Sequence, residues 1–76
     1  MRELERRLFR RFLLNRRQDE CKVSGTGIVA EGIQFSSGHC VITWLTETPS
    51  IAVYETISDL EKVHGHGGKT VINWLD

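Results

Sequence analysis

The chain has 76 residues and no net charge, with 39% hydrophobic and 26% charged residues. A chain of this length is expected to form one domain with a thin core, because on folding it buries only about 60% of the surface that the unfolded chain exposes. No stretch approaches the roughly 18 apolar residues of a membrane span, and no apolar segment of the secretory-signal type follows the first arginines. Two cysteines are too few for a disulfide framework and are expected as reduced thiols. We therefore expect a cytoplasmic protein with no membrane association.

Charge is distributed unevenly along the chain. Residues 1–17 contain seven Arg and two Glu, a net charge of +5. Residues 18–76 contain three Lys and eight acidic residues, a net charge of −5. This polarity indicates either that the basic end binds a partner or that it docks on the acidic remainder of the same chain.

The N-terminal segment, residues 1–19, has the pattern of a basic amphipathic helix. Apolar side chains recur at helical spacing at Leu4, Leu8, Phe9, Phe12 and Leu13. The other side of the helical wheel carries Arg6, Arg7, Arg10, Arg11 and Arg17. Arg, Leu and Glu are good helix formers, and no Gly or Pro occurs before Gly25. We predict a helix that ends between Asn15 and Asp19.

The body, residues 20–76, begins with three predicted strands rich in β-forming residues. These strands span residues 26–35, 39–45 and 50–54. Gly32 is expected as a bulge in the first strand, and Gly38 as the left-handed residue of the following hairpin loop. Cys40, Ile42 and Trp44 alternate with the residues between them and are predicted to share one face. The three strands are expected to form an antiparallel meander.

A short helix and a final strand complete the body. Thr56 and Ser58 compete as the helix N-cap, and Ser58 has Glu61 in capping-box position. The helix is expected to end near His64, before several glycines, and residues 69–75 alternate as a strand. The order α-β-β-β-α-β predicts a single-domain α+β fold, with an antiparallel sheet of about four strands and a basic N-terminal helix. A small SH3-like barrel is the alternative.

The most unusual motif is HGHGG at residues 64–68. Two imidazoles two residues apart could bind zinc and give a zinc-stabilised structural module, but no second ligand pair has a standard spacing. The glycines could instead offer backbone N–H groups to an anion. We regard His64, His66, Gly67 and Gly68 as a possible loop site, and we expect neither a metal nor a cofactor.

No catalytic motif is recognisable in the chain. It lacks GxSxG and HExxH motifs and a paired-carboxylate arrangement. A domain this small also forms a deep pocket with difficulty. We therefore expect that the protein is not an enzyme.

The basic helix is the strongest functional lead, because guanidinium groups pair well with phosphates and carboxylates. The residues expected to contact a partner are Arg6, Arg7, Arg10, Arg11 and Arg17. The leading hypothesis is a small non-enzymatic interaction module that binds a protein or nucleoprotein partner. Nucleic-acid binding by the arginines is the alternative. The Leu/Phe stripe of the helix also allows a homodimer.

Three motifs occur in a definite order along the body. They are SGTGIVAEGIQFSSG at residues 24–38, HGHGGKT at 64–70 and WLD at 74–76. Over residues 23–76 this order resembles a family of small uncharacterised proteins of bacteria, archaea and their phages. The resemblance implies a prokaryotic or viral cytoplasmic setting and assigns no activity and no residue role. Phage proteins of this size often bind host machinery, including defence systems, which agrees with an interaction module.

Overall fold

The computed structural model describes residues 8–17 and 26–76. Over these ranges the chain forms a five-stranded antiparallel sheet with one α-helix packed on one face. The elements are β1 (Phe9–Arg16), β2 (Gly27–Phe35), β3 (Cys40–Trp44), β4 (Ile51–Tyr54), α1 (Ile57–His64), a 3₁₀ turn (His66–Gly68) and β5 (Thr70–Trp74). Among the described residues, no helix has the length and apolar character needed to cross a membrane.

The strand order in the sheet is β4-β3-β2-β1-β5, and all neighbouring strands are antiparallel. β1 lies inside the sheet although it comes first in the chain, with Phe12 opposite Gly32 of β2 on one side and opposite Trp74 of β5 on the other. The sheet is open, because it ends at β4 and β5. The predicted α-β-β-β-α-β order is therefore wrong, and so is the alternative of an SH3-like barrel.

The basic helix predicted over residues 1–19 is the main error, since residues 9–16 form β1. Phe12 and Leu14 are each 1% exposed, while Leu13 between them lies on the other face of the sheet. A cluster of adjacent apolar residues fits both helical spacing and strand alternation. Pairing with other strands favours the strand over the helix here, because β1 hydrogen-bonds to a neighbouring strand along both of its edges. The rest of the predicted helix, residues 1–7 and 18–19, lies outside the described ranges.

The core lies between α1 and the face of the sheet that α1 covers. Three strands and the helix contribute its buried apolar side chains, which are Phe12, Leu14, Ala30, Cys40, Ile42 and Leu60. Gly32 makes room for this core, because a Cβ atom at that position would overlap the ring of Phe12. Packing against a ring, and not the predicted bulge, is thus the reason for a glycine here.

The bulge lies elsewhere in β2. Leu14 pairs with Ala30 and Asn15 pairs with Ile28, so Val29 is the extra residue opposite β1. A bulge increases the local twist of a strand and redirects the side chains that follow it. It occurs just before Arg16, at the end of β1 where the chain reaches the turn that follows α1.

The predicted three-stranded meander and the predicted short helix after it, α1, are confirmed. β2, β3 and β4 pair in sequence, and Gly38 has a positive φ of 100° in the first hairpin. Cys40 and Ile42 are fully buried in the core, and Trp44 packs against it. The side-chain oxygen of Thr56 accepts a hydrogen bond from the amide of Asp59 at 3.0 Å, so the N-cap is this threonine and not Ser58.

Candidate functional site

The end of β1 and the turn that follows α1 meet at one corner of the sheet. Arg16 pairs with Thr70 of β5, and the amide of Arg17 donates to the carbonyl of Lys69 at 2.7 Å. α1 ends at this corner with His64, whose pKa responds to the charge of Arg16. We term this group the basic corner, and its residues are Arg16, Arg17, His64, His66 and Lys69.

The turn at the basic corner has a left-handed backbone. φ is 49° at His66, 66° at Gly67 and 96° at Gly68. Glycine adopts such angles without strain, whereas a residue with a Cβ atom pays about 1–3 kcal/mol for a sparsely populated conformation. Within residues 8–17 and 26–76, His66 is the one non-glycine residue with a positive φ. Strain of this kind is concentrated at functional sites, which directs attention to the turn.

The turn uses several of its own backbone N–H groups internally. Gly65 donates to the carbonyl of Glu61, and both Gly68 and Thr70 donate to the carbonyl of Gly65, at distances of 2.8 to 3.0 Å. These amides are consequently engaged and do not form the open N–H cradle considered from the sequence.

His64 is held in place by two aromatic residues. Its Nε2 atom lies 2.5 Å from the hydroxyl oxygen of Tyr54, and its ring packs edge-on against Trp44 at a centroid distance of 5.0 Å. Burial lowers the pKa of His64 below its ordinary value, and the positive charges of His66 and Arg16 lower it further. At neutral pH the side chain is therefore an uncharged imidazole in a defined orientation.

A pocket of about 210 Å³ lies beside the basic corner. Its lining includes Arg16, which belongs to the corner, and Trp44, which contacts His64. The apolar side chains of Ile28 and Val29 form part of the remaining wall. A guanidinium and an indole on the walls of one pocket are suited to holding a flat aromatic ring by stacking.

Arg10 and Arg11, two of the arginines predicted as one partner-binding face, lie on opposite faces of the sheet. The guanidinium of Arg10 stacks on the ring of Trp74, 3.8 Å from its centroid. Arg11 donates from Nε and Nη2 to the carboxylate of Asp76 at 2.9 and 2.8 Å. These hydrogen bonds lower the pKa of Asp76 to about 2. A helix would align the two arginines more closely, but a strand alternates its side chains and separates them.

The other three arginines of the predicted partner-binding face are Arg6, Arg7 and Arg17. Arg6 and Arg7 lie outside the described residues, while Arg17 belongs to the basic corner. Arg16, which was not among the predicted contact residues, joins it there. Strand alternation from Phe12 was the sequence signal that would have grouped Arg16 with the core-facing side of β1.

The structure brings the predicted loop site together and adds to it. His64 and His66 lie in or beside the turn, and Gly67 and Gly68 supply its left-handed backbone. Sequence reasoning missed the contacts of His64 with Tyr54 and Trp44, because these residues lie on strands β4 and β3 and the sequence does not show how the helix packs on those strands. The alternating apolar pattern placed these two aromatic residues on strands but did not indicate which side chain they would contact.

The ligand set for zinc is not found in the described parts of the chain, where no three His, Cys, Asp or Glu residues are grouped as a metal site requires. Cys40 is a buried free thiol whose Sγ atom contacts the carbonyl oxygen of Thr56 at 3.6 Å. Burial raises the pKa of this thiol and keeps it protonated, whereas a metal ligand must be the thiolate.

Comparison with known proteins places the chain in a family. The model of the Acb5 phage protein family matches residues 9–76. The chain belongs to this family. The Acb5 match begins with β1, which the resemblance seen in the sequence did not include, and it covers all five strands and the basic corner. No curated protein and no solved structure matches the chain.

Proposed function

We propose that this Acb5 family protein binds a phosphate-bearing ligand, a nucleotide or a nucleic acid, at the basic corner. The observation that carries the proposal is that the chain brings Arg16, Arg17 and Lys69 to the turn that bears two histidines: Arg17 bonds to Lys69 through the backbone, and the charge of Arg16 acts on His64. The sequence contains no acidic residue between Glu61 and Asp76, so the turn adds no negative charge of its own. Hydrogen bonds from guanidinium and ammonium groups to phosphate oxygens are among the strongest that proteins form.

The pocket beside the corner supports a ligand larger than phosphate alone. Trp44 offers an aromatic wall and Arg16 reaches both the pocket and the turn. A base in the pocket would place its attached phosphate toward the basic corner. Stacking of a base on an aromatic side chain contributes about 1–3 kcal/mol and tolerates different bases.

This proposal narrows the interaction module expected from the sequence. A nucleoprotein partner would present the same phosphates, and binding alone requires no catalysis. The sequence predicted that the partner contacts the arginine face of a helix. The proposal instead places the ligand at the end of β1 and the turn after α1.

A binding titration tests the proposal. Fluorescence anisotropy would follow labelled single-stranded and duplex oligonucleotides at two salt concentrations, with a mononucleotide and inorganic phosphate as competitors. For a single strand we expect the logarithm of the binding constant to fall with the logarithm of salt, with a slope of about −0.7 per phosphate contacted. Competition by the mononucleotide but not by phosphate would identify a nucleotide site. No binding of any of the four probes at low salt would contradict the proposal.

Matched variants locate the site. Arg16→Ala and Arg17→Ala each remove charge-assisted contacts worth about 1.5–3 kcal/mol, so affinity should fall at least about tenfold. Arg10→Ala is the control, because it removes the same charge from the same strand while Arg10 lies over Trp74, away from the turn. Equal losses in all three variants would indicate a non-specific charge effect and would refute this location.

A second candidate function is cleavage of a phosphodiester, which the hydrogen bond between Tyr54 and His64 favours. A neutral, oriented imidazole beside a phosphate site can accept a proton from an attacking hydroxyl or water. Product analysis after incubation with the ligand that binds would decide between the two functions. Turnover that His64→Gln abolishes without loss of binding supports catalysis, and bound ligand recovered intact supports binding alone.

A further inference from the structure

The face of the sheet opposite α1 is apolar and exposed. Nothing in residues 8–17 and 26–76 covers it, because α1 packs on the other face through Leu60 and Ile57. Its most exposed apolar side chains are Phe9, Ile33, Phe35, Ile51, Val53 and Leu75, which are 38% to 71% exposed. We term these residues, together with the others on this side of the sheet, the open face.

The apolar residues of the open face are contiguous across the strands. Phe9 is directly opposite Phe35, Ile33 is opposite Val41, and Val41 is opposite Val53. A groove of about 470 Å³ runs along this face, and its lining includes Ile33, Phe35 and Val41. At roughly 150–200 Å² for each large apolar side chain, the exposed parts of the six most exposed side chains amount to roughly 500–650 Å². Such a patch is at the upper limit for a typical monomer and marks an interaction surface.

Among the strand residues that the structure describes, two charged residues lie on the open face, one of each sign. Arg11 is opposite Ile33, and Glu31 lies between Leu13 and Thr43 in the next row. Arg11 is bound by Asp76 at the edge of the face. Glu31 is exposed and forms no ion pair with any residue that the structure describes. On these strands a strongly charged partner would find one opposite charge, whereas a face with one positive and one negative group is complementary to itself.

We propose that the open face is the interface of a homodimer in which a second copy of this chain packs its own open face against it. A twofold axis through the face would bring Arg11 of each copy toward Glu31 of the other, as an isologous interface requires. Two sheets pack in this way at about 10 Å, with their strands within about 30° of each other. Two copies together would bury roughly 1,000–1,300 Å², which is close to the lower limit for a stable specific interface. The dimer is therefore expected to dissociate on dilution.

Sedimentation equilibrium of the full chain over a range of concentrations tests the interface. Ile51→Lys should weaken self-association at least tenfold, because Ile51 is 71% exposed on the open face and the dimer would bury the new charge. Val63→Lys is the matched control, since Val63 is 55% exposed on α1, on the opposite side of the sheet. Far-ultraviolet circular dichroism and melting curves would verify that both variants fold.

A charge exchange tests the pairing of the two copies. Glu31→Arg and Arg11→Glu should each weaken self-association, because like charges then face each other across the twofold axis. An equimolar mixture of the two variants should form a heterodimer, since both opposing pairs are restored. This result would distinguish a specific interface from general apolar association.

Three outcomes would overturn the proposal. The first is a wild-type chain that stays monomeric at about 1 mM, which corresponds to less than about 4 kcal/mol of association free energy. The second is equal weakening by Ile51→Lys and Val63→Lys. The third is a chain shortened by residues 1–7 that dimerises while the full chain does not, which would identify that segment as the occupant of the face.

Discussion

At the scale of single residues, His64 combines burial, an aromatic neighbour and a hydrogen bond in one side chain. Tyr54 and Trp44 hold the ring, and Arg16 and His66 add positive charge near it. Burial and the charges of His66 and Arg16 lower the pKa of His64 and so oppose its protonation, whereas the hydroxyl of Tyr54 can hydrogen-bond to either state of the imidazole. The side chain is therefore a sensor of pH as well as a candidate ligand contact.

The stability of the protein should depend on pH through His64. Its pKa in the folded state is lowered, while in the unfolded chain it has the ordinary value of about 6.5. Between these two values the unfolded chain binds the proton more readily, so stability is complete above about pH 6.5 and decreases as pH falls through the lowered pKa. Melting temperatures measured across this range should show the decrease.

The His64→Gln variant is the control for this pH dependence. It should melt at a temperature that changes less over the same pH range, because glutamine does not titrate. His39→Gln offers a comparison, since His39 lies in the exposed hairpin beside Ser37. If His39→Gln removed the pH dependence and His64→Gln retained it, the assignment to His64 would be wrong.

At the scale of secondary structure elements, the body was predictable and β1 was not. Val, Ile, Thr and aromatic residues alternate through β2, β3 and β5, and glycines mark their turns, so local chemistry and tertiary structure agree there. In β1, arginine and leucine favour a helix locally. The pairing of β1 with β2 and β5 overrides that preference, and a single sequence does not reveal pairing partners so distant in the chain.

The beginning of α1 provides a prediction at the same scale. Thr56→Ala removes the side-chain oxygen that accepts from the amide of Asp59, and we expect it to cost about 1 kcal/mol of unfolding free energy. Ser58→Ala should cost much less, because Ser58 is exposed in the first turn and Thr56 already provides the cap. Urea unfolding of the two variants would measure both values. A larger loss for Ser58→Ala would place the start of the helix two residues later.

The candidate site was predictable only in part. The histidines and glycines of the turn are adjacent in sequence and were singled out for that reason. Arg16 lies in β1 and Trp44 in β3, and only the fold brings these two residues near the turn. The arginine face of the predicted helix illustrates the same limit, since its geometry depended on an element that does not form over residues 9–16.

At the scale of the whole molecule, residues 8–17 and 26–76 form a single-layered sheet supported by one short helix. β1 and β2 each have a strand on both sides, whereas β4 and β5 are at the edges. The packed interior is concentrated where α1 meets β1, β2 and β3. Stability is therefore expected to be highest near the first two strands and to decrease toward the edges.

Amide hydrogen exchange would measure this gradient. We expect the slowest exchange for Phe12, Leu14 and Ala30 in the interior strands, and exchange at least about tenfold faster for Ile51 and Val53 of the edge strand β4. In the proposed dimer, exchange on β4 should become slower as protein concentration increases. Uniform protection of all five strands at low concentration would contradict the expected gradient.

The position of β1 beside β5 also affects how the protein folds during its synthesis. β1 leaves the ribosome early, but its partner strand β5 is translated almost 60 residues later. At about 5–20 residues per second, the nascent chain spends roughly 3–12 seconds with the β5-facing edge of β1 unpaired. An unpaired edge readily accepts a strand from another chain. The separation of β1 and β5 along the chain thus sets the period in which neighbouring nascent chains could pair wrongly before the sheet is complete.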